Sequence, residues 1–510
     1  MLRVVSTPFG GRPLTRAALS ASTPPGWYAR RPQGAEQWRA RAEAMLSALP
    51  SRDWLAPLQA AFNPVGLAGE RLLASSDGGF VVTVGQQPGL FGGPLYTWWK
   101  ALSALAFADS LQAATGVPVA PVFWAATDDS DFAEASWTVV ATPEGAHRIE
   151  LPAIDDPGTM PLIRVPLGDV TPQLEMLRRA AGSASYPWIL DVVKRSYASG
   201  TSMGSAYVSM LREVLSPLGV SVLDASHPAV RAQGAPLFHR ALERAQAIEA
   251  ALVARDAELN AAGFTTQVQT VRGRSLVFSI TNGRRARIPA RSGVQALSGV
   301  DPAELSPNVL LRPLLERSIL PTVAYLGGPA EVAYFAQVSA VADALEVESP
   351  LILPRWSGVV IESRIQRILD RHSLTPADFS DPHAVETRLA REALPAALRT
   401  GLDDLRQTID QKIERLAATG QDESVSPRVI EGLRRNMVHL TERLERRYTA
   451  AIKREGNDAL RDAAAARAAL YPLGVPQERA LNGVPLIARY GEELFAAVMT
   501  EVAPHAASLV

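Results

Sequence analysis

The chain has 510 residues, more than the roughly 250–300 at which a single hydrophobic core stops growing, so more than one domain is expected. Hydrophobic residues make up 47% and charged residues 20%, the balance of a soluble globular protein; 51 basic side chains nearly cancel 52 acidic ones, which removes any net-charge argument for nucleic acid or an anionic membrane as partner. The absence of cysteine excludes disulfides, thiolate metal sites, a catalytic cysteine and a thioester to the protein.

Met1 to Pro13 lacks the basic-then-apolar order of a signal peptide, and the apolar stretches are interrupted before about 18 residues, so the reading is a cytoplasmic protein without a membrane span. Residues 1–75 read as a helical lead-in punctuated by Trp27, Trp38 and Trp54, with a helix over 34–49. The first clear strand is Phe80–Val84. A glycine-rich turn follows, Gly85-Gln86-Gln87-Pro88-Gly89-Leu90-Phe91-Gly92-Gly93, and then a helix from Pro94 to about Leu111 and a strand over Val117–Ala126. This strand–loop–helix–strand order predicts an α/β fold with a parallel, doubly wound sheet.

Residues 137–300 show short strand signals at Trp137–Ala141, Arg148–Leu151, Val220–Leu223 and Leu276–Ile280, with helices over 204–215 and 236–260; they read as insertions decorating the core. The core pattern returns at Thr322–Leu326, followed by Gly327-Gly328-Pro329, a helix over Ala330–Leu345 and a strand at Pro350–Leu353. Strand–Gly-Gly-Pro–helix therefore occurs twice, as expected of two opposing parts of one sheet with a cleft between them, although so short a repeat also arises by chance.

Residues 384–470 change character. Leu398, Leu402, Leu405, Ile409, Ile413 and Leu416, then Ile430, Leu433, Met437, Leu440 and Leu444, recur at three- and four-residue spacing with charges between them. That is the pattern of coiled-coil seams, split by a polar turn at 419–427 into an antiparallel helical hairpin. An apolar stripe on such a hairpin needs burial, and a second copy of the chain, a homodimer, supplies it most simply. Residues 1–383 are thus expected to form the core, 384–470 the coiled coil, and 471–510 a segment returning to the core.

Two constellations carry possible chemistry. In Gly85–Lys100, glycines permit close backbone approach and a helix start offers N–H groups, so a phosphate or carboxylate fits there; Tyr96 and Lys100 share a helix face, and Gln86 and Gln87 add donors and acceptors. The alternative is a tight turn without a ligand. At the end of the second strand, Asp128, Asp129 and Asp131 would hold Mg²⁺ for a nucleotide, orient a substrate amine, or act as general base; the alternative is a solvated loop with Asp131 capping a helix. Glu331, Tyr334 and Gln337 are weaker candidates, Arg312 and Arg355 suit carboxylate or phosphate, and the histidines show no metal-ligand spacing.

Taken in order, Gly85-Gln86-Gln87-Pro88-Gly89, Gly93-Pro94-Leu95-Tyr96-Thr97 with Lys100, Pro121-Val122-Phe123-Trp124, Ser306 to Pro313 with Arg312, Gly327-Gly328-Pro329-Ala330-Glu331 with Tyr334, Pro354-Arg355, and Tyr471-Pro472 through Gln477-Glu478-Arg479 to Arg489-Tyr490-Gly491 resemble the cysteine ligases of bacillithiol synthesis. The resemblance spans residues 80 to 491. It implies a Rossmann-like core with inserted connecting segments, a dimerising coiled coil, and amide formation between cysteine and the amine of glucosaminyl-malate. The family usually shows Glu-Asp-His-Asp where this chain has Asp128-Asp129-Ser130-Asp131, so the histidine's role passes elsewhere or the substrate differs. Because a carboxylate is a poor electrophile, ATP is the expected activator, with the first glycine-rich loop and Lys100 against its phosphates and Glu331 and Tyr334 on the opposite wall. Gly85, Gln86, Gln87, Gly89, Gly92, Gly93, Pro94, Tyr96, Thr97, Arg312, Gly327, Gly328 and Arg355 would complete the binding surface. Two competing readings are another nucleotide-dependent ligase or transferase on this fold and a non-catalytic coiled-coil scaffold.

Overall fold

The computed structural model describes residues 2–49, 51–155, 158–297, 300–419, 426–455 and 458–510. Two compact units emerge: Leu2–Val140 with Arg148–Val360 and Glu478–Val510, and Ala141–His147 with Ile361–Gln477.

The larger unit is built on five parallel strands: β1 (Phe80–Gln86), β2 (Val119–Ala125), β3 (Ser221–Asp224), β4 (Thr322–Gly327) and β5 (Ile352–Pro354), in the spatial order β5-β4-β1-β2-β3. β1 and β2 lie inside the sheet with both faces covered, which is why they read as continuous apolar runs and not as alternating ones. Between them runs α1 (Tyr96–Thr115), apolar around most of its circumference because the sheet covers one side and the helix Glu492–Ala507 packs along it. It stops at Gly116, whose left-handed backbone (φ +73°) lets its N–H close onto Gln112 O. The helix following β4, α2 (Pro329–Ala344), starts with proline at its first position.

Val220–Leu223 was expected among the decorations and instead supplies the edge strand β3 of the core sheet; four residues are too few for periodicity to reveal that role. The single helix expected over 236–260 is two, Pro228–Glu243 and Ala245–Ala261, joined at Arg244 without proline or glycine to mark the break. The strand signal at Leu276–Ile280 belongs to a small antiparallel sheet of Arg274–Thr281, Arg284–Pro289 and Leu305–Pro307. Trp137–Thr142 and Gly145–Glu150 pair as a two-stranded sheet.

In the smaller unit Ala396–Thr419 packs along Pro427–Glu455 as the expected hairpin, and the turn expected at 419–427 lies mostly outside the described residues. Leu402, Ile409 and Ile413 are buried, as are Thr441 and Thr449 from the second helix. Arg391 pairs with Glu445 (2.6 Å), Arg434 with Asp410 (3.0 Å), and Arg406 also reaches Glu445. The rest of the expected second seam is not inside this hairpin: Leu433, Met437, Leu440 and Leu444, with Leu405 and Leu416, are exposed. Among the described residues no helix is long and apolar enough to cross a membrane.

Residues 478–510 belong to the sheet unit, whereas the return was expected from 471, and one of them closes the first glycine-rich turn. Asn482, fully buried, points its side-chain amide at Leu90 O (3.3 Å), Phe91 O (3.1 Å), Gly93 O (3.3 Å) and Thr138 Oγ1 (3.1 Å), while its Oδ1 accepts from Val484 N (2.9 Å). Asn482→Ala leaves those buried carbonyls without a donor, and denaturant unfolding should show a loss of about 2–4 kcal/mol.

Candidate functional site

The chain runs outward from β1 in both directions, to β2 and β3 on one side and to β4 and β5 on the other, so the carboxyl ends of β1 and β4 form the point where the winding reverses. Ligands of doubly wound sheets bind there. In this protein that point opens into a cleft of about 540 Å³, lined by Gly85, Gln86 and Gln87 after β1, Asp128 and Asp129 after β2, and Gly328 to Glu331 after β4.

The first glycine-rich turn is less open than expected. The helix begins at Tyr96, two residues after Pro94, and most of its leading N–H groups, though not that of Tyr96, are taken: Leu95 N by Leu481 O, Thr97 N by Pro94 O, Trp98 N by Leu95 O. Gly92 N and Gly93 N close onto Gly89 O and Leu90 O. A Cβ on Gly93 (φ +73°) would lie 3.2 Å from Thr97 Oγ1, so glycine serves the turn itself. Gly89, Gly93, Pro94 and Thr97 line a separate chamber of about 60 Å³, which shares Gln86, Gln87, Tyr96 and Glu134 with the cleft. Gly92 packs on Trp98 and Met210, and Gly327 on Ile352, away from the cleft.

Lys100 is not a free cation. Its Nζ donates to Gly85 O (2.6 Å) and Gln86 Oε1 (3.0 Å) and pairs with Glu331 Oε2 (2.6 Å). Glu331 also accepts from Gly328 N (2.7 Å) and Tyr325 Oη (2.5 Å). Burial pulls the Lys100 ammonium below its usual value, against Glu331, which supports it. Burial would raise Glu331, but Lys100, the Gly328 N–H and Tyr325 outweigh it and hold the carboxyl below its ordinary range. Both residues therefore serve as the frame of the cleft.

The second glycine-rich turn is the open one. Gly328 N is capped by Glu331, Val332 N bonds to Gly328 O, and the N–H groups of Ala330 and Glu331 have no backbone partner among the described residues, as the first turn of a helix leaves them. Beside them lies Arg355, only 2% exposed. Its terminal nitrogens reach Trp356 O (2.6 Å), Ser357 Oγ (3.1 Å) and both oxygens of Glu478 (3.1 and 2.8 Å), while its buried Nε has no acceptor. A Cβ on Gly328 would stand 3.7 Å from that Nε. Gly328, Ala330, Glu331 and Arg355 thus line the cleft together, with the Glu331 carboxylate nearest the missing Gly328 side chain at 3.4 Å; free N–H groups at a helix start and a guanidinium are the groups that hold a phosphate or carboxylate.

Arg312 and Tyr334 also line the cleft, with Arg312 bonded to Glu316 Oε2 (3.2 Å) and Tyr334 Oη (3.1 Å). Gln337 is buried and binds the backbone of Val268, a structural role.

The acidic segment divides. Asp131 is exposed and accepts from Glu134 N (2.9 Å), capping the short helix Phe132–Ala135. Asp128 is buried in the cleft wall, and Asp129 stands 3.9 Å from Arg285. Burial raises Asp129 above the usual carboxylate range, with Arg285 opposing. Glu134, not anticipated, is exposed at the surface yet partly desolvated, which raises its carboxyl, with Asp131 adding to it, and it hydrogen-bonds Gln87. Its Asp-x-x-Glu spacing matches a helix-capping pattern, which masked it. Among the described residues no three acidic or histidine side chains gather as metal ligands. Ser130 is not part of the cleft lining.

Comparison with known proteins agrees with this architecture. The model of the bacillithiol biosynthesis BshC N-terminal Rossmann-like domain matches residues 27–356, and that of the BshC C-terminal coiled-coil domain matches residues 358–508. The chain is 32% identical over 460 residues to a protein of Solibacter usitatus (86% of this chain, 85% of the relative), and 32% identical over 441 residues to one of Koribacter versatilis (82% and 81%). It is 28% identical over 443 residues to one of Staphylococcus carnosus (82% of each). All three are named "Putative cysteine ligase BshC".

Glu316, 1% exposed behind the cleft, gives a pH signature. Burial pushes its carboxyl from the usual 4.5 up to about 7, against Arg312 and Thr83, which favour the ionised form. The folded state then holds more protons than the unfolded one between those values, so stability falls as pH rises from about 4.5 to about 7. Glu316→Gln, uncharged throughout, should flatten this part of the profile by about 1–3 kcal/mol in denaturant titrations.

Proposed function

The chain belongs to the BshC family of bacillithiol biosynthesis, and from that premise we propose that it is a cysteine ligase that joins the carboxyl group of L-cysteine to the amine of glucosaminyl-malate. The observation that supports the reading beyond kinship is that the start of α2, at Ala330 and Glu331, and Arg355 line one cleft with two carboxyl groups held above their usual range, Asp129 and Glu134. Amide formation needs such a pair of features: an anion site for the group that leaves, and a base for the amine.

ATP would supply the activation: the cysteine carboxylate oxygen would attack the γ-phosphorus, releasing ADP and giving an acyl phosphate, or the α-phosphorus, releasing pyrophosphate and giving an acyl adenylate. The leaving phosphoryl group would rest in the cradle at the start of α2, where fixed N–H dipoles stabilise negative charge as it develops. The sugar amine then attacks the carbonyl carbon; the C–N bond forms, the C–O bond to phosphate or AMP breaks, and Asp129 or Glu134 takes the proton. A carboxylate with a raised pKa is the better base near neutrality. Magnesium, if used, would arrive with the nucleotide and meet Asp128 or Asp129. Lys100 keeps the two glycine-rich turns together and leaves phosphate binding to the cradle.

Incubation of the purified protein with cysteine, glucosaminyl-malate and Mg-ATP, followed by mass spectrometry, should show the cysteinyl amide and stoichiometric ATP consumption; ATP-independent turnover would remove the activation step. Asp129→Asn should slow turnover about a hundredfold with the fold intact, whereas a merely solvated loop would leave the rate within a few-fold.

The exposed stripe Leu433–Met437–Leu440–Leu444 supports a homodimer of coiled coils. Leu433→Asp with Leu440→Asp should convert dimer to monomer in analytical ultracentrifugation, and a double variant that sediments as wild type would refute that interface.

A further inference from the structure

The cleft wall carries a cation that the protein itself leaves unbalanced. Arg285 and Arg287 lie two residues apart on the strand Arg284–Pro289 and so point to one face. Phe278 sits opposite Arg287 in the antiparallel register, and its ring lies 3.9 Å from the Arg285 guanidinium and 5.1 Å from that of Arg287. The two arginines share the ring but not their partners. Arg285 donates to Ser306 Oγ (2.9 Å) and Pro307 O (2.5 Å) and faces Asp129. The guanidinium of Arg287 donates to no acceptor and pairs with no carboxylate among the described residues. The other buried cations of the cleft are matched, Lys100 by Glu331, Arg312 by Glu316 and Arg355 by Glu478, and Arg479 is exposed.

We propose that Arg287 is a specificity-determining residue that grips a carboxylate of the malyl group, so that the protein selects the acid-bearing amino sugar over a neutral one. The assignment rests on the ligase reading above. A guanidinium offers parallel N–H donors matched to a carboxylate, and aromatic packing restricts its swing, so little order is lost on binding. Half-buried and beside Arg285, Arg287 is held below the usual arginine range by desolvation first and by that neighbour second. An anion relieves both. The wall as a whole has six cationic and four acidic side chains, which suits a substrate with two carboxylates.

The test is steady-state kinetics and calorimetry on the full chain carrying Arg287→Gln or Arg287→Lys. Arg287→Gln should raise the KM and Kd for glucosaminyl-malate about ten- to a hundredfold, the range for a lost charge-assisted hydrogen bond. It should raise KM far more than it lowers kcat and leave the KM values for cysteine and ATP unchanged. Arg287→Lys should fall between, and salt should weaken wild-type binding more steeply than that of Arg287→Gln. Unchanged affinity for glucosaminyl-malate in both variants overturns the proposal, as does a loss confined to ATP, which would make Arg287 a phosphate contact. L-Malate alone separates this idea from the reading beneath it. Arg287-dependent binding of malate without any turnover of glucosaminyl-malate would keep the carboxylate site and sink the ligase assignment; wild-type protein that binds neither compound sinks both.

Discussion

A single buried ion pair organises the cleft. Lys100, one turn into α1, reaches across the carboxyl ends of β1 and β4 to Glu331 in the first turn of α2, 2.6 Å away. The pair ties together the two helices that diverge from the winding reversal, and the same carboxylate caps Gly328 and orients Tyr325. Removing one member of such a pair strands the other charge in a dry wall, typically at a cost of about 3–5 kcal/mol. Here the loss would also release the turn whose free N–H groups face the cleft. A residue that looks from its type like a phosphate ligand is therefore the frame on which the phosphate site depends.

This arrangement separates two segments that resemble each other on paper. Both glycine-rich turns leave a central strand and enter a helix through proline. The first is sealed from behind by Leu481 and Asn482, which take up its donors and acceptors, so its glycines serve close packing. The second has no such cover among the described residues, and Arg355, held rigid by Glu478, lies beside it. Residues outside these turns, Arg355 and the segment 478–482, thus decide which can bind an anion. The two carboxylates that suit proton transfer, Asp129 and Glu134, follow the next strand end, so the cleft pairs an anion site with proton acceptors at the carboxyl ends of the central strands.

Much of this was legible in the sequence because it is local. β1 and β2 announce themselves as apolar runs ended by glycine or acid, α2 by proline at its first position, and the helical hairpin by heptads. Asp131 as a helix cap was likewise readable as the alternative to a catalytic role. What was hidden is what tertiary contact decides. Nothing near Asn482 tells that it closes a turn nearly four hundred residues earlier. Glu134 was masked by its capping spacing, and Arg285 and Arg287 look like surface charges on a polar hairpin until Phe278 and Asp129 are brought beside them. β3 was missed for its brevity. The outward face of the hairpin stripe could not be told from the inward one, since both obey the same three- and four-residue spacing.

The claim that the start of α2, and not the first glycine-rich turn, holds the anion can be tested directly by a crystal structure of the protein with cysteine and a non-hydrolysable ATP analogue. The account predicts phosphoryl or carboxylate oxygens about 3 Å from Ala330 N, Glu331 N and Arg355 Nε, with Lys100 still on Glu331. Phosphate seated against Gly89–Gly93, with Lys100 turned away from Glu331 to meet it, would contradict it.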